Sequence, residues 1–190
     1  TFLYFAGVSS IQAAFFFSMA GFISYQFERL GTSPTEFGLW FSLTSIGYII
    51  GNLLSNRYST RLGLEQFSLV GCSWCLLSII LMFLSEIPVI SYPLTLASAC
   101  IMFGLGNGLI LANVLVLALS SVEQKRVASA SGILGAMQMF CGAILGSLIV
   151  LLGGDKHFWI AITIVIILSM VSILCCYRGG LWSKTMNPKN

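Results

Sequence analysis

Six long apolar runs, each close to the length that crosses a bilayer and almost free of charge, leave this chain few ways to fold. They cover Phe2–Phe27, Pro34–Ser55, Phe67–Leu84, Tyr92–Leu119, Val127–Leu152 and Phe158–Tyr177. A membrane-spanning helix needs ~20 such residues. The chain has only 8% charged residues, against roughly 25% in soluble domains, so it cannot cover a water-facing surface. A membrane β-barrel would show alternating segments of ~10 residues, whereas these runs are continuous. With no water in the bilayer core, the backbone must satisfy its own hydrogen bonds, and an apolar run does that as a helix. The expected fold is an all-α membrane protein of six transmembrane helices.

Punctuation between the runs supports helices joined by short connections. Ser33-Pro34-Thr35-Glu36 places an N-cap serine, a helix-starting proline and a glutamate at the third helical position. Tyr92-Pro93 opens the fourth run in a similar way. Short connections force neighbouring helices to run antiparallel.

The basic residues set an orientation, because Lys and Arg favour the cytoplasmic side. Of nine in all, Arg57, Arg61, Lys125, Arg126, Arg178, Lys184 and Lys189 fall on one side, while Arg29 and Lys156 fall on the other. This predicts an inner-membrane, multi-pass protein with both termini in the cytoplasm and residues 178–190 as a cytoplasmic tail. The net charge of +3 is dispersed at the ends of apolar runs, so no nucleic acid partner is expected.

Small residues indicate which helices approach closely, since lipid gives them no hydrophobic reason to associate. Gly47/Gly51, Gly104/Gly108 and Gly142/Gly146 form Gly-xxx-Gly pairs in the second, fourth and fifth runs. The third run has one glycine, Gly71, and the sixth run has none. This gives a triplet used twice, with the third and sixth helices expected at the lipid-facing periphery. Three spans per repeat make the two repeats inverted relative to each other.

No Asp, Glu, Lys, Arg or His lies deep in a run, which removes the usual signature of an ion pathway or an intramembrane enzyme. Cys72-Ser73-Trp74-Cys75 has redox or metal spacing, but without a second pair or a nearby histidine it reads as two small buried hydrophobes. No metal or cofactor is expected. The uncharged polar residues remain. Gln12, with Phe16 and Met19 on the same helical face, and Asn107 and Asn113 in the fourth run are candidates for lining a wet cavity. Interhelical hydrogen bonding is the competing role for each amide, including Asn52 and Gln138. Tyr25 and Gln26 are expected at the outer interface.

These segments resemble the C-terminal half of a major facilitator superfamily transporter, in the drug:proton antiporter branch close to Bcr/CflA-type multidrug efflux proteins. "LGTSPTEFGLWF" looks like that family's turn into its eighth helix. "GNLLSNRYSTRLG", with Gly51, Asn56, Arg57 and Arg61, is similar to its basic cytoplasmic loop. "GLILANVLVLAL" and "RVASASGILGAMQM" resemble its tenth and eleventh helices. The acidic position of the loop motif is replaced by Ser55 and Asn56, and Ala112 stands where a proline is common. The resemblance implies half of a twelve-helix carrier, with the first helix of each triplet lining a central cavity. It also implies an N-terminal six-helix half as partner, with protons as the coupling ion and their carboxylate in that other half. Gly47, Gly51, Gln138, Gly142 and Gly146 would then pack between the halves. The implied function is export of small amphipathic or cationic molecules by alternating access. A specific sugar or amino-acid carrier and a non-transporting membrane scaffold are the rival readings.

Overall fold

The computed structural model describes residues 1–154 and 156–186. Its elements in order are α1 (Phe2–Arg29), α2 (Pro34–Leu62), α3 (Leu64–Leu84), α4 (Pro93–Ser120), a 3-10 turn (Gln124–Arg126), α5 (Val127–Leu151) and α6 (Phe158–Met186). All six α-helices are long and apolar enough to cross a membrane. At 1.5 Å per residue, the 28 residues of α1 extend ~42 Å, so its ends pass beyond a ~30 Å hydrocarbon layer or the helix tilts.

Two boundaries differ from the sequence expectation. Arg57 and Arg61 do not lie in a loop, because α2 continues through Leu62 and only Gly63 separates it from α3. The apolar run ends at Asn56, but nothing there breaks a helix. The break comes where the backbone turns left-handed, at Gly63 with φ +85°, a region glycine adopts without a Cβ clash. Likewise, α6 runs on through Met186, so Arg178 is helical rather than part of a tail. Residues 187–190, with Lys189, lie outside the described residues.

The start of α2 forms as its sequence suggests. Ser33 Oγ accepts from Glu36 N–H at 3.3 Å, and Glu36 Oε2 accepts from Ser33 N–H at 2.7 Å. Each group satisfies an amide that the first helical turn would leave open. Pro34 occupies the first helical position, where its missing N–H costs nothing.

The bundle is built by exchange between the two triplets. The main partner of α2 is α4, and that of α5 is α1. Both α3 and α6 pack on each other, α3 also on α4 and α6 also on α1. Swapping α1 with α4, α2 with α5 and α3 with α6 leaves this pattern unchanged, as two repeats of three helices require. The core includes Phe5, Phe15, Phe27, Ile79, Phe103 and Ile162.

The glycine pattern needs a correction here. The lone Gly71 of α3 and Gly106 of α4 bring those two helices into close contact, and α3 and α6 supply much of the core. Instead, α2 and α5 are the least enclosed helices, with 17% and 22% of their most apolar windows buried, against 44% for α3. A glycine count reports how closely one face can approach a neighbour, not how many neighbours a helix has. The outer faces of α3 and α6 are still apolar, through Val70, Leu77, Ile167 and Leu174, as contact with lipid requires.

Candidate functional site: an uncharged cavity between four helices

Helices α1, α2, α4 and α5 enclose a cavity of about 260 Å³ lined by Ala13, Phe16 and Phe17, by Ser45 and Tyr48, by Asn107 and Leu111, and by Gln138 and Met139. Each helix places its contribution through close packing elsewhere. On α2, a Cβ at Gly47 would collide with the backbone carbonyl of Ile101, and one at Gly51 with that of Leu105. From the other side, Gly104 rests on the Thr44 carbonyl and Gly108 on that of Tyr48. Two Gly-xxx-Gly faces thus meet within this chain, and the contact sets Tyr48 and Ser45 opposite Asn107.

On α5, Gln138 Nε2 donates to Ser9 Oγ of α1, which fixes the amide at the cavity edge. Gly142 faces the ring of Phe17 at 3.2 Å from where its Cβ would be. Gly146 faces open space. Of the five glycine and glutamine positions expected between halves, Gly47 and Gly51 therefore meet α4, while Gln138 and Gly142 meet α1.

The cavity wall is aromatic and amide-bearing. Phe16 and Phe17 stand edge to face with centroids 5.8 Å apart, and Phe16 continues through Phe41 and Phe37 toward Phe27. Asn107 is 2% exposed, and its Oδ1 has no hydrogen-bond partner. A buried acceptor without a donor costs about 1–3 kcal/mol, unless a water or ligand satisfies it. Among the described residues that line this cavity, none is charged.

The sequence candidates separate. Phe16 and Asn107 reach this cavity. Gln12 does not: it is fully buried on the far side of α1, where Nε2 donates to Ser172 Oγ of α6 at 3.3 Å. Met19 is likewise buried in the core. Gln12 thus takes the interhelical role, because that face of α1 packs on α6. Ser172 Oγ also lies 3.8 Å from Cys72 Sγ, and Cys72 and Cys75 are both buried.

Asn113 lies in a second, larger wedge of about 580 Å³ between α2 and α4, with Tyr48, Asn52, Ser55, Asn56 and Ser59. Tyr48 lines both spaces and was not singled out from the sequence. A polar aromatic residue one position after a helix-contact glycine is its only signal there.

At the opposite end, Gln26 Nε2 donates to Glu86 Oε1 and Arg29 Nη1 donates to Gln26 Oε1 at 3.4 Å. This ties the end of α1 to the α3–α4 connection. Arg57 and Arg61 are exposed, and the Arg57 guanidinium carbon lies 5.9 Å from the centre of the Tyr58 ring.

Comparison with protein-family models matches the Major Facilitator Superfamily over residues 3–189. Comparisons with curated proteins and with solved structures gave no significant match.

Proposed function

The chain belongs to the Major Facilitator Superfamily, and from that premise we propose that its six helices are the C-terminal half of a twelve-helix, proton-coupled exporter of small amphipathic molecules. Membership itself makes the chain a multi-pass membrane transporter, working on a small-molecule substrate within lipid. The export direction, the coupling ion, the second half and the inner-membrane address with both termini cytoplasmic are our reading.

One observation carries it: the cavity whose wall is made by α1, α2, α4 and α5 together. Ligand sites in carriers of repeated architecture lie where repeats meet, and this is where α1–α5 and α4–α2 come together. Its surface suits an amphipathic ligand. Phe16, Phe17 and Tyr48 offer ring faces, Met139 offers a deformable thioether, and Asn107 and Gln138 offer amides. Ring faces attract organic cations without the desolvation cost of a buried carboxylate.

Coupling to protons needs a group that changes charge inside the membrane. Among the described residues, the carboxylates Glu28, Glu36, Glu65, Glu86 and Glu123 all lie at helix ends or in connections. In our reading the proton carrier therefore belongs to the partner half, and α2 and α5 present their open faces to it. During exchange α2 and α4 move together, since the contact between them is backbone-to-backbone and leaves little room to shear.

The test is uptake of ethidium into inverted vesicles with an imposed pH gradient, using this chain together with a six-helix N-terminal half. Phe16→Ala and Asn107→Leu should each lower the initial rate about 10-fold. An undiminished rate in both variants, at equal amounts of folded protein, would refute the assignment of this cavity to the substrate.

A further inference from the structure

The wedge beside the cavity differs from it in chemistry. Beyond the crossing at Gly51 and Gly108, α2 and α4, with Leu64 of α3, border an open wedge of about 580 Å³, within the size range of ordinary ligand sites. Its polar wall is made of Asn52, Ser55, Asn56 and Ser59 from α2 and Asn113 from α4, with Tyr48 at the border to the aromatic cavity. Arg57 and Arg61 are on the same stretch of α2 but do not line it. Five uncharged polar side chains thus share this wedge with the apolar Ile49, Leu53, Leu64, Ala112 and Val116.

The amides are already oriented. Asn52 Nδ2 donates to the carbonyl of Tyr48 at 3.1 Å, and Asn113 Nδ2 donates to that of Leu109 at 2.8 Å. Each asparagine therefore uses one of its two N–H donors on its own helix and keeps the other donor and its side-chain oxygen. The serine hydroxyls can donate or accept. A wall of amide donors and acceptors and adaptable hydroxyls, without formal charge, matches a ligand group rich in hydroxyls. A carboxylate or phosphate would find no cation among the lining residues. An ammonium would meet no anion.

We propose that the wedge is a second subsite, joined to the aromatic cavity at Tyr48, and that it holds the neutral polyhydroxylated end of an amphiphile whose aromatic or apolar body lies against Phe16, Phe17 and Asn107. This rests on the proposed transport function and adds a substrate class to it. Asn107 belongs to the body subsite, whose wall it shares with Phe16 and Phe17. Tyr48 acts as a specificity residue, because its ring contacts both parts of the ligand.

The experiment uses this chain together with a six-helix N-terminal half, in phospholipid nanodiscs free of glycosidic detergent, which would itself fit the proposed site. Four probes share one ring: 2-naphthyl β-glucoside, 2-methoxynaphthalene, 2-naphthyl phosphate and a naphthylmethyl trimethylammonium salt. Equilibrium dialysis against empty nanodiscs removes lipid partitioning. The glucoside should bind about 10-fold tighter than the methyl ether, the gain expected from a few net hydrogen bonds. Asn52→Leu and Asn113→Leu should each remove most of that gain and leave the methyl ether unchanged. Asn107→Leu should weaken both.

If the methyl ether binds in an Asn107-dependent way and the glucoside gains nothing, the polar subsite is refuted and the transport cavity stands. Tighter binding of the phosphate or the ammonium than of the glucoside also refutes it. If no probe shows binding that depends on Asn107, the cavity reading fails and the subsite with it.

Discussion

Replacing Gly104 by alanine tests the contact that holds α2 in place. A Cβ there would run into the backbone carbonyl of Thr44, and would lie 3.0 Å from the Thr44 carbonyl carbon and 3.1 Å from Thr44 Cγ2. The first two obstacles are backbone, so no side-chain rotation relieves them. The helices must separate by about 1 Å, which removes a quarter to a half of the attraction in each nearby atom pair. With about 40 such pairs at ~0.15 kcal/mol each, the loss is about 2 kcal/mol. Alanine returns up to ~1 kcal/mol through better helix propensity. The net loss of about 1–2 kcal/mol corresponds to a Tm lower by about 3–6 °C for a chain of this size. A fluorogenic thiol reagent provides the assay, because Cys72, Cys75, Cys100 and Cys176 are buried and react only on unfolding. The control is Gly146→Ala, where a Cβ meets nothing within 4 Å. It should keep or slightly raise Tm in this chain alone. A lower Tm for Gly146→Ala than for Gly104→Ala would refute the helix-contact argument.

Gln12→Leu removes the bond to Ser172 but also an unpartnered buried Oε1, so unfolding stability should change by less than about 1 kcal/mol, with ligand binding unaltered; a 10-fold loss of ligand affinity would return Gln12 to the cavity wall. Ser33→Ala deletes one side of the capping box and should cost about 1 kcal/mol, visible as a Tm lower by roughly 3 °C in the same thiol assay; no change would mean that the cap is idle. Cysteine at the exposed positions Leu62 or Gln66 should react with a membrane-impermeant reagent only from the cytoplasmic side, and cysteine at Thr35 only from the outside; the reverse would overturn the orientation read from the basic residues.

Which features could be read from the sequence follows from what determines each one. Helix number came from apolar runs, since the bilayer imposes a length that no local detail can override. The capping box at Ser33 was also readable, because its geometry lies within four residues. The ends of α2 and α6 were misjudged because hydropathy marks where lipid stops, whereas a helix stops where its backbone must turn, at Gly63 in the case of α2. Glycine pairing pointed correctly to close contacts at Gly47, Gly51, Gly104 and Gly108, yet it could not say that α2 pairs with α4 instead of its chain neighbours. That choice belongs to the exchange between repeats.

The amides were hardest for a related reason. Gln12 and Ala13 are consecutive residues on one helix, and about 100° of rotation separates them. Ala13 lines the cavity, while Gln12 is buried against α6. In an aqueous protein the polar residue would mark the wet side, because burial without a partner is penalised against water. In a membrane helix the alternative environment is lipid, so a glutamine gains as much by turning to a serine on another helix as by turning to a cavity. Polarity along α1 therefore marks contact with some partner, and only the position of α6 decides which. Asn107 is the informative contrast. It has the same chemistry and nearly the same burial, and like Gln12 Oε1 its oxygen finds no donor among the described residues, but Asn107 lines the cavity whereas Gln12 donates to Ser172. A place on the wall of an open space, and neither an unsatisfied oxygen nor an amide within a membrane helix, is what separates the ligand-facing candidate from the structural one here.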